Sequence, residues 1–383
     1  MPAPRILIAD DQVHVVEALQ LLLKNEGFVF ESVNSPRAVV EAVQERDFDV
    51  LLLDLNYARD TTSGAEGIEL LSRIHELNSS LPVVLMTAWA SIELAIEAMQ
   101  NGGRDFVQKP WDNDKLLGSL RRHAEEGRIL REKKLELKEA REIQQRLLPT
   151  ELPELPGCDI QAFWQPANEV GGDYFDVIRL NDTAAAFCIA DVSGKGLPAA
   201  LLMSNTQASV RAFARSMRRP AQVCRHLNRV VSENARAARF TTLFYGVLDF
   251  IDRTLRYTNA GHVPPMLVRR NGDVVRLADG GTVLGIFPDA AYEEREITLE
   301  QGDRLVLLTD GITEAENAGS EEFGEDRLTH LLVENRGLPA DELKRVLLNA
   351  VDSFAARGFQ DDATLVIVDY SGVERIGAAS FVP

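Results

Sequence analysis

Cysteine is nearly missing from this chain. Cys158, Cys188 and Cys224 are far apart, odd in number and in no CxxC spacing, which excludes a disulfide framework and a thiolate zinc site. They read as small buried hydrophobes in a reducing cytoplasm. Positive charge is also short: 41 Lys and Arg against 59 Asp and Glu give a formal charge of −18. That deficit argues against nucleic acid or an anionic membrane as a partner, because both demand basic patches. There is no long apolar run and no signal peptide, so the expected location is cytoplasmic. GxSxG, a catalytic Cys signature and a Walker A loop are all missing, which leaves no sign of a serine or cysteine nucleophile or of P-loop chemistry. What is present is an ordinary globular composition, 45% hydrophobic and 26% charged over 383 residues, suited to two or three domains.

The stretch Gly118–Leu148 divides the chain. It holds no proline, one internal glycine (Gly127) and mostly Arg, Lys, Glu, Leu and Ala, side chains that lose little freedom in a helix. Pairs four apart, such as Arg121–Glu125 and Arg128–Glu132, support an exposed helix of roughly 45 Å, and Pro149 ends it. A heptad register runs through Leu116, Leu120, His123, Gly127, Leu130, Lys134, Leu137, Arg141, Gln144 and Leu148. Half of those positions are polar or glycine, so a marginal coiled coil in a homodimer and a single solvated helix are both open. Ala140, Ile143 and Leu147 form an apolar face expected to dock on the following domain.

Before the helix, strands and helices alternate. Arg5–Ala9, Phe28–Val33, Val50–Leu53, Pro82–Met86 and Asp105–Gln108 read as strands, separated by helical segments. Continuous apolar strands in strict β-α alternation predict an α/β doubly wound, five-stranded parallel sheet. Functional groups of such sheets gather at the carboxyl ends of the strands. Asp10, Asp11, Asp54, Thr87 and Lys109 all fall there. Three carboxylates in one crevice repel, and a hard cation such as Mg²⁺ relieves the repulsion. A carboxylate so neutralised can attack a phosphoryl donor and become an acyl phosphate, with Lys109 and Thr87 gripping the transferred oxygens.

This constellation resembles the response-regulator receiver domain. The resemblance implies that Asp54 is the phosphoacceptor, that Asp10, Asp11 and the Asn56 carbonyl hold Mg²⁺, and that Thr87, Lys109 and Phe106 form the switch. It also implies a sensor histidine kinase as phosphodonor. The segment Asn56–Gly67 is longer than the usual loop after the phosphoacceptor and carries Arg59, Asp60, Thr61 and Thr62. It reads equally as a tuner of phosphorylation lifetime and as a solvated loop.

After the helix the periodicity changes. Ten strands are expected: Cys158–Gln165, Tyr174–Leu180, Ala184–Ala190, Thr242–Asp249, Thr254–Asn259, Met266–Arg270, Val274–Leu277, Glu293–Leu299, Asp303–Leu308 and Ala363–Asp369. Helices are expected at Pro198–Arg215, Pro220–Ala238 and Pro339–Ala356, which together predict an α+β domain, a two-sheet sandwich flanked by helices. Asp173, Asp191, Asp310, Asp361 and Asp362 stand at strand ends with few basic residues nearby. Carboxylates gathered in this way, without His or Cys, select Mg²⁺ or Mn²⁺. Two such ions would hold a water and a phosphoryl group for in-line hydrolysis of a phosphate ester.

The motifs AREIQQRLLP, GGDYFD, DVSGKG, FTTLFYGVLD, NAGHVPP, TVLGIF, TDGITEA and DDATL resemble the metal-dependent protein phosphatases of the protein phosphatase 2C fold, in the bacterial sporulation and stress-response (RsbU-like) branch. The resemblance implies that Asp191 bridges two ions with help from the Val192 carbonyl, that Asp173 serves one side, and that Asp310 and Asp361 complete the other. Asp362 is then a supporting acid. Lys195 is a phosphate contact or a turn lysine, and His262 is a structural residue or a proton donor. The domains expected are a receiver at 1–120, a helical linker at 121–149, a phosphatase at 150–371 and a tail at 372–383. The function implied is a response regulator whose output hydrolyses phosphoserine or phosphothreonine on a STAS-type anti-sigma-factor antagonist. The alternative is a phosphorylation-controlled adaptor with a silent phosphatase-like domain.

Overall fold

The computed structural model describes residues 3–57, 65–88, 92–234, 239–356 and 358–372. Arg59, Asp60, Thr61 and Thr62, singled out in the long loop, lie outside the described residues. The chain divides into two compact units, with the boundary after Glu136.

The first unit runs β1 (Arg5–Ala9), α1 (Val13–Asn25), β2 (Val29–Val33), α2 (Pro36–Glu45), β3 (Val50–Asp54), α3 (Ala65–Leu77), β4 (Val83–Thr87), α4 (Ile92–Gln100), β5 (Gly103–Gln108) and the start of α5 (Asn113–Leu147). The five strands form one parallel sheet in the order β2-β1-β3-β4-β5. Side chains of a strand alternate between faces, and here both faces are buried. Leu7, Leu51, Leu53 and Leu85 pack with Val39, Leu71 and Ile74 of α2 and α3. Ile6, Ile8, Leu52 and Val84 pack with Leu19 and Leu23 of α1 and with Leu116 and Leu120 of α5.

Helix α5 stays on this unit well past residue 120. Ala124 is in the core. Asp105 Oδ2 accepts from Ser119 Oγ and from Arg122 Nη2, each at 2.6 Å, and Arg131 Nη1 meets Asp49 Oδ1 at 2.8 Å. Gly127 lies so close to β3 that a Cβ there would stand 1.9 Å from the Asp49 carbonyl oxygen. The heptad positions Leu116, Leu120, His123 and Gly127 therefore face their own domain and are not free to pair with another helix.

The second unit starts with the end of α5 and continues with β6 (Cys158–Gln165), β7 (Tyr174–Arg179), β8 (Ala184–Val192), α6 (Leu197–Ser216), α7 (Pro220–Asn234), β9 (Thr241–Asp249), β10 (Thr254–Ala260), β11 (Met266–Val268), β12 (Val274–Arg276), β13 (Gly280–Gly281), β14 (Arg295–Thr298), β15 (Asp303–Leu308), α8 (Asp310–Thr313), α9 (Glu325–Glu334), α10 (Ala340–Phe354) and β16 (Ala363–Tyr370). One sheet is ordered β13-β10-β9-β8-β7 with β14 also on β10; the other is β12-β11-β15-β16-β6. In β15, Leu305 and Leu307 join the core that holds Tyr174, Phe187 and Tyr245 of the first sheet. Val306 and Leu308 point the other way, to Leu328 of α9 and to Leu343 and Leu347 of α10.

Helix α9 was not among the expected elements, although Leu328 and Leu332 are spaced as one helical face and Glu325 and Asp326 suit a first turn. The docking face of α5 also differs from expectation. Ile143 is 63% exposed, whereas Leu148 is in the core and Gln144 is 3% exposed. The helix turns a polar amide inward because backbone groups await it there, which an apolar-face count cannot register.

Candidate functional site

Two acid clusters form, one in each unit. In the first, parallel pairing aligns the ends of β1, β3 and β4. Ligand oxygens of Asp10, Asp11 and Asp54 lie within 4.8 Å of one another. Lys109 Nζ donates to Asp10 Oδ2 at 2.7 Å and stands 2.9 Å from Asp54 Oδ2. Asn56 Nδ2 donates to Thr87 Oγ1 at 3.0 Å. Burial pushes the Asp54 carboxyl up, opposed by the Lys109 ammonium. A cavity of about 470 Å³ opens over the site, lined by Asp11, Asp54, Asn56, Tyr57, Lys109 and Trp111. Phe106 is half-buried against the α2–α3 core. Asp11 Oδ1 is buried without a hydrogen-bond partner, and with an all-oxygen set this fits a hard divalent cation.

The second cluster sits where the two sheets of the second unit meet. Tyr174 pairs with Ala190 and Leu308 with Leu365, so Asp173 and Asp191 close one strand pair while Asp310 and Asp361–Asp362 close another. Asp173 joins the sheets. Its Oδ2 accepts from Thr309 Oγ1 at 2.7 Å and from Thr364 Oγ1 at 2.6 Å, while its Oδ1 is buried without a partner. Asp362 is fixed by backbone: Ala167 N donates to Oδ1 at 2.8 Å and Gly172 N to Oδ2 at 2.5 Å. Asp361, the residue before it, is half-buried and pairs with Lys195 Nζ at 2.9 Å. Lys195 also donates to the Gln360 carbonyl.

The electrostatics of this cluster are those of crowded acids. Burial, then Asp310 and Asp361, push the Asp191 carboxyl up to about 7. Burial, then Asp191, raise Asp173. Burial, then Asp361, raise Asp310. Such repulsion is what bound cations relieve. An unpartnered buried oxygen on Asp173 and an oxygen-only donor set fit Mg²⁺ or Mn²⁺. The carboxylates here are more widely spaced than in the first unit: among the described residues only Asp10, Asp11 and Asp54 have three ligand atoms within 4.8 Å of one another.

His262 lies off this cluster. It is buried, bonded through Nδ1 to Thr242 Oγ1 at 2.8 Å and through Nε2 to the Leu308 carbonyl at 3.1 Å, and burial lowers its pKa to about 4. It is a neutral strut between β9 and β15. Three contributors were not anticipated. Thr309 and Thr364 were readable only as strand-end threonines beside TDG and DDAT. Arg239 has a buried Nη1 without a hydrogen-bond partner among the described residues, 3.4 Å from where a Cβ of Gly194 would be.

A sheet of receiver topology carrying an acid triad with Lys109, and a two-sheet domain with acids on its joined edges, define a receiver domain and a metal-dependent phosphatase domain. The comparisons agree. The response regulator receiver domain family matches residues 6–121, and the stage II sporulation protein E (SpoIIE) family matches residues 181–371. Phosphoserine phosphatase RsbU of Bacillus subtilis is 33% identical over 241 residues, which cover 63% of this chain and 71% of RsbU. Protein IcfG of Synechocystis sp. is 31% identical over 266 residues, 61% of this chain but 41% of IcfG, so the match spans less than half of that relative. The crystal structure of the RsbU and RsbW domains of Rv1364c from Mycobacterium tuberculosis superposes with a TM-score of 0.54 at 26% identity, covering 60% of this chain and 64% of that one. The chain belongs to the RsbU-like family of SpoIIE-type phosphatase domains, here joined to a response-regulator receiver domain. Among the described residues no helix is long and apolar enough to cross a membrane.

Proposed function

We infer that this chain is a response regulator with an active protein-serine/threonine phosphatase output. The observation that carries the reading is the crowding of Asp173, Asp191, Asp310 and Asp361 at strand ends where the two sheets meet, with Asp173 Oδ2 held by the Thr309 and Thr364 hydroxyls and its Oδ1 left without a partner. In the receiver, a sensor histidine kinase would present a phosphohistidine. Asp54 would attack the phosphorus, the phosphorus–nitrogen bond would break, and Lys109 would stabilise the new phosphoryl oxygens. Asp10, Asp11 and Asn56 would hold Mg²⁺.

In the phosphatase, Asp191, Asp310, Asp361 and the free oxygen of Asp173 would hold two Mn²⁺ or Mg²⁺, with the Val192 carbonyl assisting. Such ions supply a water of lowered pKa and polarise the phosphoryl oxygens. Asp362 orders the loop at Ala167 and the turn at Gly172. Lys195 keeps Asp361 in place, and the Arg239 guanidinium, whose Nη1 has no partner among the described residues, suits the substrate phosphate. The substrate favoured by kinship with RsbU is a phosphoserine or phosphothreonine protein, an anti-sigma-factor antagonist of STAS type. A homodimer through α5 is the assembly expected, with pairing restricted to the segment after Arg131. A silent adaptor is disfavoured because no acid of the cluster is replaced.

The test is Mn²⁺-dependent phosphate release from a phosphorylated STAS antagonist, with and without an acyl-phosphate donor. Asp310→Asn is expected to lower the rate by more than roughly 100-fold. A wild-type rate in that variant overturns the metal assignment, and indifference to the donor overturns the gating.

A further inference from the structure

Gln144 is a polar side chain buried one turn before the end of α5, and both ends of its amide go to a single residue. Nε2 donates to the Gly171 carbonyl at 2.7 Å, and Gly171 N donates to Oε1 at 3.0 Å. That pattern matches one peptide pairing with another, so Gly171 is held as if by a strand neighbour. Gly171 has no side chain with which to anchor itself.

The next two residues belong to the acid cluster. Gly172 N is the 2.5 Å donor to Asp362 Oδ2, and Asp173 follows directly. Space around the two glycines is closed on the side of the cluster. A Cβ on Gly171 would lie 2.7 Å from Asp362 Oδ2, and one on Gly172 would lie 2.8 Å from the Val192 carbonyl oxygen. The Gly171–Gly172 segment is thus a two-peptide spacer between Gln144 and the groups Asp362, Asp173 and Val192. The helix end that carries Gln144 is itself tied down, since Gln207 Nε2 donates to the Leu147 carbonyl at 2.9 Å and Leu148 is in the core.

We propose that Gln144 is a positioning residue for the phosphatase acid cluster, so that the last turns of α5 set the placement of Asp173 and Asp362 through one amide side chain. This rests on the metal-dependent reading given above. A shift or rotation of α5 by a fraction of a turn would break both bonds and release Gly171, with no other side chain of the described residues bonded to that peptide. The neighbouring Ile143 points to solvent and has no such route.

The experiment uses the full chain. Gln144→Met keeps the stem and volume and removes both bonds; Gln144→Glu keeps an acceptor but faces the Gly171 carbonyl with charge. Ile143→Ala is the control. Mn²⁺ binding is read by calorimetry without substrate, and turnover with p-nitrophenyl phosphate as the phosphomonoester. Gln144→Met is expected to weaken Mn²⁺ binding by roughly tenfold or more and to lower kcat similarly, with KM within about twofold; Gln144→Glu follows it and Ile143→Ala matches wild type. Unchanged Mn²⁺ affinity and kcat in a folded Gln144→Met overturns the proposal. So does failure of both Gln144 variants to fold, which makes the residue a stability element. Wild-type protein that binds Mn²⁺ without hydrolysis sinks the catalytic reading instead, and the binding arm still decides the role of Gln144.

Discussion

Thr364 Oγ1 donates to Asp173 Oδ2 at 2.6 Å across the junction of the two phosphatase sheets. With Thr309 it leaves one oxygen of Asp173 engaged and the other free. Thr364→Val keeps the shape and removes the donor. It is expected to destabilise the domain by roughly 1–3 kcal/mol and to weaken Mn²⁺ binding, read by urea titration of the apo protein and by calorimetry. Unaltered values on both would show that Asp173 needs no such support.

Metal and pH should act together. Asp191 sits at about 7 in the fold because of burial and then Asp310 and Asp361, against an ordinary carboxyl near 3.9 in the unfolded chain. Between those values the folded state holds more protons, so the apo domain loses stability as pH rises through the window. Cation binding displaces those protons and removes the loss. The rise in thermal midpoint at a fixed Mn²⁺ concentration is expected to be larger at pH 8 than at pH 6, and Asp191→Asn should flatten the difference. A rise independent of pH would contradict the crowded-acid account.

In the receiver, Asp54→Asn removes the proposed nucleophile while leaving Lys109 its 2.7 Å bond to Asp10. Incubation with a small acyl phosphate and Mg²⁺ should label wild-type protein with a hydroxylamine-sensitive phosphate and leave the variant unlabelled. Label that persists in the variant would place the acceptor elsewhere.

Gly127 offers a test of packing against propensity. Alanine is the better helix former by about 1 kcal/mol, yet its Cβ would meet the Asp49 carbonyl at 1.9 Å. Gly127→Ala is expected to destabilise the receiver by a net ~1–3 kcal/mol, read by chemical denaturation. Stabilisation would mean that this part of α5 is not docked.

Arg239→Ala should raise KM for a phosphoprotein several-fold with smaller change in kcat, the outcome expected of a group that binds the substrate phosphate as proposed and does not hold the acids. An effect on kcat alone would assign it to the framework.

Much of the fold was legible because its signals are local. Apolar strands that end in Asp10, Asp54, Asp191 and Asp310 carry period and chemistry in a few adjacent letters, and hairpin turns mark the second domain's antiparallel order. Helix α9 escaped because ten residues with two buried leucines make a weak period beside a Gly-rich loop. Strand periodicity and the letters that follow each apolar run are enough to say which acids stand at strand ends and hence which two clusters are available. Tertiary structure alone decided which oxygens are committed: Asp362 to the Ala167 and Gly172 amides, Asp173 to two hydroxyls, Asp361 to Lys195. It also decided the faces of α5, with Gly127 against Asp49 and Gln144 against Gly171. Those contacts join residues far apart in the chain, and each depends on a backbone group whose place is set only once the sheets are assembled.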